Sequence, residues 1–332
     1  MSIKTPYLLF LGNAADPLAA KVAQGIKDWR PENCVGQLRL DGCNADLGLT
    51  DMTPAQAVAN GAKSMVVGVA NRGGVIDATW VAALIEAMEA GLDLAAGLHN
   101  KLADVPELAE AAKRLGREIH DVRHPSRSYP VAAGTKRSGK RLLAVGTDCS
   151  CGKMYSTLAI EKELRARGVK ADFRATGQTG ILITGDGVSV DAVAADFISG
   201  SVETHAPAND DDHWDIIEGQ GSLFHASFAG VTLGLIHGSQ PDALVLCHEP
   251  TRTHMRGLPD FGLPSIKECM EANLAAAKLT NKNAKFVGIA VNTSKLSDEE
   301  AKAYLAKTEE EFGLPTVDPV RTGVAAIVDN LS

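Results

Sequence analysis

RLLAVGTDCSCGKMYST, residues Arg141 to Thr157, opens on an apolar run, turns at a glycine, and closes on a second glycine and a lysine that lead into a helical pattern. The run RLLAVG (141–146) has the composition of a strand buried on both faces, and the residues from about 152 to 167 read as a helix that stops at Gly168. Between strand and helix, Gly146 and Gly152 let backbone N–H groups turn inward, the helix start adds partial positive charge, and Lys153 supplies a mobile cation. Residues Gly146, Thr147, Asp148, Cys149, Ser150, Cys151, Gly152, Lys153 and Met154 are therefore expected to cradle a phosphate group. Five residues separate the glycines, one more than the usual pattern holds, so the strand–loop–helix context carries this reading rather than the spacing.

Met154 changes what such a loop is able to do. A magnesium ion on a bound phosphate takes a ligand from the hydroxyl that normally follows the loop lysine, and a thioether does not replace it for a hard cation. Ser156 and Thr157 lie further along the helix and are expected to point elsewhere. The loop is thus expected to bind phosphate without metal-assisted hydrolysis, and no metal is expected at the site.

Outward from this stretch, strand-like runs recur at VKADFRA, WDIIEG, ALVLCHE and AKFVGIAVN, with helices such as SIKECMEANLAAAKL between them. The first half has the same rhythm: YLLFLG (7–12), a helix over 17–29, VGQLRL (35–40), SMVVGVA (64–70), LDLAAGL (92–98) and EIHDVR (118–123). Repeated βα alternation means parallel sheets with helices on both faces. The pattern lapses at HPSRSYPVAAGTKRSG (124–139), which is rich in proline, glycine and basic residues. The expected architecture is α/β in two domains: a Rossmann-like N-terminal parallel sheet over residues 1–130, a linker over 131–139, and a P-loop NTPase-like doubly wound sheet over 140–332. In the first domain Gly12 stands alone where a dinucleotide fingerprint needs three glycines, so Asp41 after the second strand lacks its context and a plain scaffold is expected. Asn71, Arg72, Gly73 and Gly74 form either an anion-binding helix start or a bare strand-to-helix turn.

The formal charge of -8 and pI near 5.6 oppose a broad electrostatic grip on nucleic acid or anionic lipid. No run approaches the roughly 18 apolar residues of a membrane span, and MSIKTPYLLFLGN has no signal-peptide pattern, so a cytoplasmic protein with a small-molecule partner is expected. A homo-oligomer is the common case for such proteins. Six scattered cysteines suit reduced thiols, and the lone C-x-C pair at Cys149 and Cys151 lacks the further ligands of a zinc site.

The loop beginning Gly146-Thr147-Asp148, the segment EGQGSL (Glu218 to Leu223) and VNTSKL near the C-terminus together resemble dethiobiotin synthetase over the second domain. A wider resemblance spans nearly the whole chain. GTDCSCGKM, ATGQTGILITGDGVSVDAVAADFISG (175–200), EGQGSLFH (218–225) and LGLIHGSQPDALVLCHE (233–249) are similar to a bacterial family long catalogued only as a domain of unknown function, and within it to the D-glutamate N-acetyltransferases. That resemblance implies acetyl-CoA as co-substrate and D-glutamate as acceptor, with the loop gripping the CoA phosphates. The alternative it leaves is an ATP-dependent ligase or carboxylase resembling dethiobiotin synthetase and using Mg-ATP.

Acetyl transfer to an amine needs a neutral amine, a proton acceptor and donors to the thioester oxygen. Glu218, at the end of a buried strand, is the first choice of base, with burial expected to raise its pKa; Asp148 and His225, then His248 and Glu249, stand in reserve. Glu218 is equally readable as a carboxylate that orients a loop or a metal-bound water. TGQTGILITGDG (176–187) reads as a glycine-rich loop whose Thr176, Gln178 and Thr179, with Gln220, offer donors to a polar substrate. The two carboxylates of D-glutamate call for cations, for which Arg174, Arg252 and Arg256 are candidates. Cys149 or Cys151 attacking the thioester is a covalent alternative to direct transfer.

Overall fold

The computed structural model of the chain describes residues 3–70, 74–125 and 127–331. These form two compact units, Met1–Ser126 with Gly177–Ala192, and Arg127–Thr176 with Val193–Ser332. The turn at Asn71, Arg72 and Gly73 lies outside the described residues.

The first unit alternates β1 (Tyr7–Gly12), α1 (Lys21–Trp29), β2 (Cys34–Arg39), α2 (Pro54–Ala59), β3 (Ser64–Val67), α3 (Val81–Ala90), β4 (Asp93–Ala96), α4 (Pro106–Leu115) and β5 (Ile119–Asp121). The strands form one parallel sheet in the order β2-β1-β3-β4-β5. Every residue of β1 is buried, as an all-apolar strand in a sheet covered on both faces must be. Phe10, Met65, Trp80, Leu84, Met88 and Leu94 share one buried core, in which the Trp80 ring meets Phe10 edge-on and its indole N–H donates to Asn13. The expected helix over 17–29 begins as a tighter 3-10 turn, Pro17–Ala20, because Asp16 caps it by accepting the Ala19 N–H and Pro17 sits at its first position.

The second unit contains β6 (Lys140–Gly146), α5 (Lys153–Ala166) and β7 (Ala171–Arg174). The chain then forms α6 (Gln178–Thr184), which groups with the first unit. It returns for α7 (Ile198–His205), β8 (Trp214–Ile217), α8 (Ala229–Ser239), β9 (Ala243–His248), α9 (Ile266–Lys278), β10 (Lys285–Val291), α10 (Asp298–Phe312), β11 (Thr316–Val317) and α11 (Ala325–Asp329). The sheet is parallel throughout, in the order β11-β10-β9-β6-β8-β7. The strand order reverses at β6, which pairs with β8 on one side and β9 on the other. The carboxyl ends of β6, β8 and β9 therefore open on one crevice, where doubly wound sheets bind ligands. Among the described residues no helix is long and apolar enough to cross a membrane.

Two segments depart from expectation. Residues 176–187, read as a glycine-rich ligand loop, instead contain helix α6: Gly177 is extended, Gly180 to Ile183 are buried, and Gly185 ends the helix in the left-handed conformation. Its face packs against α1 and Gly97, so an apolar GILI stretch prefers a hydrophobic surface to an exposed loop. Residues 131–139, read as a linker, belong to the second unit and are bonded along it. The Ala133 and Gly134 N–H groups donate to Glu203, Lys136 pairs with Asp242, and Arg137 donates to the Ala206 and Gly238 carbonyls.

Candidate active site around the phosphate loop

The loop between β6 and α5 is shaped by two left-handed residues, Ser150 (φ 50) and Gly152 (φ 108). A serine in that region is strained, and such strain gathers at ligand sites where neighbouring bonds hold it. No side chain caps α5, so its first N–H groups have no partner within the helix and face the loop. Lys153 is buried, with its ammonium folded back to donate to the Asp148 carbonyl at 2.8 Å and lying 3.7 Å from Cys151 Sγ. The hydroxyls of Ser156 and Thr157 turn back onto the helix, Ser156 donating to the Gly152 carbonyl and Thr157 to those of Lys153 and Met154. Neither hydroxyl reaches the loop interior, and Met154 puts a half-buried thioether where the hydroxyl of a nucleotide hydrolase would stand.

Arg252, after β9, clamps this loop. Its Nε donates to Glu249 at 2.8 Å, Nη1 to Asp148 at 2.6 Å and to the Cys149 carbonyl, and Nη2 to the Ser150 carbonyl at 2.7 Å. The guanidinium fork of Arg252, expected as a candidate for a substrate carboxylate, is thus engaged by the protein itself, including the strained Ser150. Asp148 is equally committed. One oxygen accepts the Cys149 N–H at 2.6 Å, and the other accepts Arg252 and the Arg256 backbone N–H at 2.9 Å. Glu249 is buried, which alone would raise its pKa, but hydrogen bonds from Thr251 and Arg252 hold it below the usual carboxylate range.

His225 is fixed in a single tautomer. Its Nδ1 accepts the Ser227 N–H at 3.2 Å, so Nε2 carries the proton and donates to the Arg256 carbonyl at 3.1 Å. The ring also stacks on Phe228 with centroids 4.6 Å apart. Both nitrogens are occupied in tying two loops together, which leaves the expected proton-carrying role without a free atom. His248 donates or accepts at the Thr147 hydroxyl across 3.0 Å, and burial pushes its pKa down to about 4. Asp148, Cys149 and His225 bring one ligand-type atom each within 4.8 Å of one another, yet the carboxylate oxygens and ring nitrogens already have partners. Burial raises the Cys149 thiol pKa, against the opposing pull of Lys153 and Arg256, which does not favour a nucleophilic thiolate.

Glu218 leaves β8 at the neighbouring position of the crevice. It is buried, and its Oε2 accepts the Thr176 N–H at 2.9 Å. The Thr176 hydroxyl donates to the Glu218 carbonyl at 2.6 Å, and the Gln220 amide reaches the same hydroxyl at 3.4 Å. Gly219 sets this group against the loop: a Cβ there would fall 1.7 Å from the Ala144 carbonyl and 2.8 Å from Lys153 Cδ, so only glycine permits the approach. Glu218, Thr176 and Gln220 are therefore together beside Lys153. Gln178 and Thr179 belong to the first unit, where they sit on α6 against Gly97 and Gly25. Arg174 is likewise engaged elsewhere, donating to Asp215 at 2.7 Å beside Asp172 in the charged layer between β7 and β8.

The models of a domain of unknown function match both halves: the DUF1611 P-loop domain over residues 130–328 and the DUF1611 Rossmann-like N-terminal domain over residues 37–125. This chain belongs to the DUF1611 family. A DUF1611 family protein from Anabaena variabilis, known from its crystal structure, is 32% identical and superposes with a TM-score of 0.84 over 98% of this chain and 99% of that one. A protein of Tritonibacter scottomollicae named D-glutamate N-acetyltransferase is 62% identical over 330 residues, 99% of each chain. One of a Pseudoalteromonas species with the same name is 52% identical over 331 residues, 100% of each.

In this DUF1611 chain the sequence reading missed how much of the site is built by residues that hold it. Arg252 was visible only as one of three similar arginines, and Ser150 carried no sign of its left-handed backbone. Gly219 had a signal, since a glycine directly after a candidate catalytic carboxylate marks a close backbone approach.

Proposed function

We propose that this protein is an amino-acid N-acetyltransferase that moves acetyl from acetyl-CoA to the amine of D-glutamate. The observation that carries the reading is the pair of relatives bearing that name, 62% and 52% identical along essentially their whole length. The geometry supports it. Acetyl-CoA presents a pyrophosphate and a ribose phosphate, which suit a loop of inward N–H groups with Lys153 and do not require the hydroxyl that Met154 replaces. The same substitution weighs against an ATP-dependent ligase, whose magnesium would want that hydroxyl.

In this mechanism Lys153 leaves the Asp148 carbonyl for a phosphate oxygen when CoA binds. The thioester then lies toward Glu218, with the D-glutamate amine between them. Glu218 takes a proton from the attacking nitrogen, the new C–N bond forms, the C–S bond breaks, and the CoA thiolate leaves and is protonated. The Thr176 N–H steadies the Glu218 carboxylate, and Thr176 and Gln220 supply polar contacts beside it. Direct transfer fits better than an acyl-Cys149 route, because Cys149 has a raised pKa and its neighbour His225 has no free nitrogen to activate it.

A thiol-release assay with acetyl-CoA and each glutamate enantiomer tests the reading, alongside isothermal titration with acetyl-CoA and with ATP-magnesium. CoA release that depends on D-glutamate is expected. Tight binding of ATP-magnesium with no binding of acetyl-CoA would overturn it.

A further inference from the structure

We infer that Arg256 is the cation that binds a carboxylate of the amino-acid acceptor and so sets the preference for an acidic substrate; this rests on the acetyltransferase reading above. Three arginines stand near the carboxyl edge of the second sheet, and the structure divides them. Arg174 is paired with Asp215 and Asp172, and Arg252 spends its fork on Glu249, Asp148, the Cys149 carbonyl and the Ser150 carbonyl. The Arg256 side chain is exposed and makes no hydrogen bond or ion pair among the described residues.

Its backbone, in contrast, is pinned on both sides. The Arg256 N–H donates to Asp148 in the phosphate loop at 2.9 Å, and its carbonyl accepts from His225 in the loop after β8 at 3.1 Å. His225 is in turn held by the Ser227 N–H and by stacking on Phe228. A long side chain on a free loop carries no positional information, but one whose Cα is tied to two walls of the crevice projects from a fixed point. The charge is felt at the loop, since Arg256 is among the groups that lower the pKa of Cys149 against its burial. The phosphates already have the loop N–H groups and Lys153, whereas the acceptor's carboxylates have no other uncommitted arginine among these three. A guanidinium matches a carboxylate with two parallel N–H···O bonds, which an ammonium does not.

The test compares wild type with Arg256→Gln and Arg256→Lys, measuring KM for D-glutamate and for acetyl-CoA separately, with D-glutamine as an acceptor lacking the side-chain carboxylate. Arg256→Gln is expected to raise the D-glutamate KM or lower kcat/KM by about tenfold to a hundredfold, the range for a hydrogen bond to a charged group, with the acetyl-CoA KM unmoved. Arg256→Lys is expected to recover part of the loss. A loss for D-glutamate alone places the guanidinium on the side-chain carboxylate and supports the inference; an equal loss for D-glutamine places it on the α-carboxylate, which every amino acid carries, and overturns its role in the preference for an acidic substrate. An unchanged D-glutamate KM, or a change confined to acetyl-CoA, overturns it. Thermal melting should stay at the wild-type value, because the side chain is exposed. Wild-type protein without D-glutamate-dependent CoA release would instead defeat the underlying acetyltransferase reading.

Discussion

Arg252→Ala separates a residue that builds the loop from one that touches substrate. The wild-type guanidinium is 17% exposed and joins the carboxylates of Asp148 and Glu249, which are 1% and 3% exposed. Truncation leaves two buried carboxylates near each other without their shared cation and releases the Cys149 and Ser150 carbonyls. Breaking a buried pair from one side costs about 3–5 kcal/mol. Asp148 keeps two backbone N–H donors and Glu249 keeps Thr251 and a longer contact to Lys295, so the lower end, about 3 kcal/mol, is expected. A domain of about 150–250 residues moves by about 2–4 °C per kcal/mol, which gives a fall in melting temperature of about 6–12 °C. The strained Ser150 loses its anchor as well, so the stabilisation that added acetyl-CoA gives to the wild type should shrink. Arg252→Lys keeps a charge but has no fork to span both carboxylates, and should fall between the two. Scanning calorimetry with and without acetyl-CoA reads both effects. A variant that melts with the wild type and shows only a raised D-glutamate KM would refute the clamp and return Arg252 to the substrate.

Glu218→Gln should lower kcat by about 10²–10⁴-fold while folding survives, because the amide oxygen still accepts the Thr176 N–H; a kcat within tenfold of wild type in the thiol-release assay removes Glu218 as the base. Met154→Thr should leave the dissociation constant of acetyl-CoA within about twofold by isothermal titration, since a loop that grips phosphate without metal gains nothing from the hydroxyl; a large loss would show a contact by the thioether itself. His248 gives a pH signature. Its folded pKa of about 4 lies below the ordinary value of 6.5, so the unfolded chain takes up a proton that the native state refuses. Its contribution is complete above about 6.5 and is lost as pH falls toward 4, at most about 3 kcal/mol. Melting temperature against pH should therefore fall less steeply in His248→Gln over that window, and parallel curves would count against the burial argument.

How much of this was visible in the chain follows from how local each feature is. Strands such as YLLFLG and RLLAVG were legible because both faces of a parallel sheet are buried, and a continuous apolar run has no other use at that length. The phosphate loop was legible for a similar reason: its glycines, its lysine and the flanking strand and helix are contiguous. Segment 176–187 misled because glycine density is ambiguous. Gly177 and Gly185 turned out to be the two ends of a short helix, and the buried GILI between them was the better signal.

The three arginines mark the limit of sequence reading more sharply. Each follows or ends a strand, and the residues beside each do not show which partner it will meet. Arg174 and Arg252 are distinguished only by partners 41 and 104 residues away, Asp215 and Asp148, which become neighbours when β7 meets β8 and when the loop after β9 crosses the loop after β6. Asp215 did carry a hint, since a carboxylate in the buried strand WDII demands a cation across the sheet. Once that demand and the one made by Asp148 are met, charge balance around the crevice leaves Arg256 as the uncommitted member of the three. The inference about Arg256 thus draws on the structural claims on the other two, and Arg252→Ala tests one of those claims.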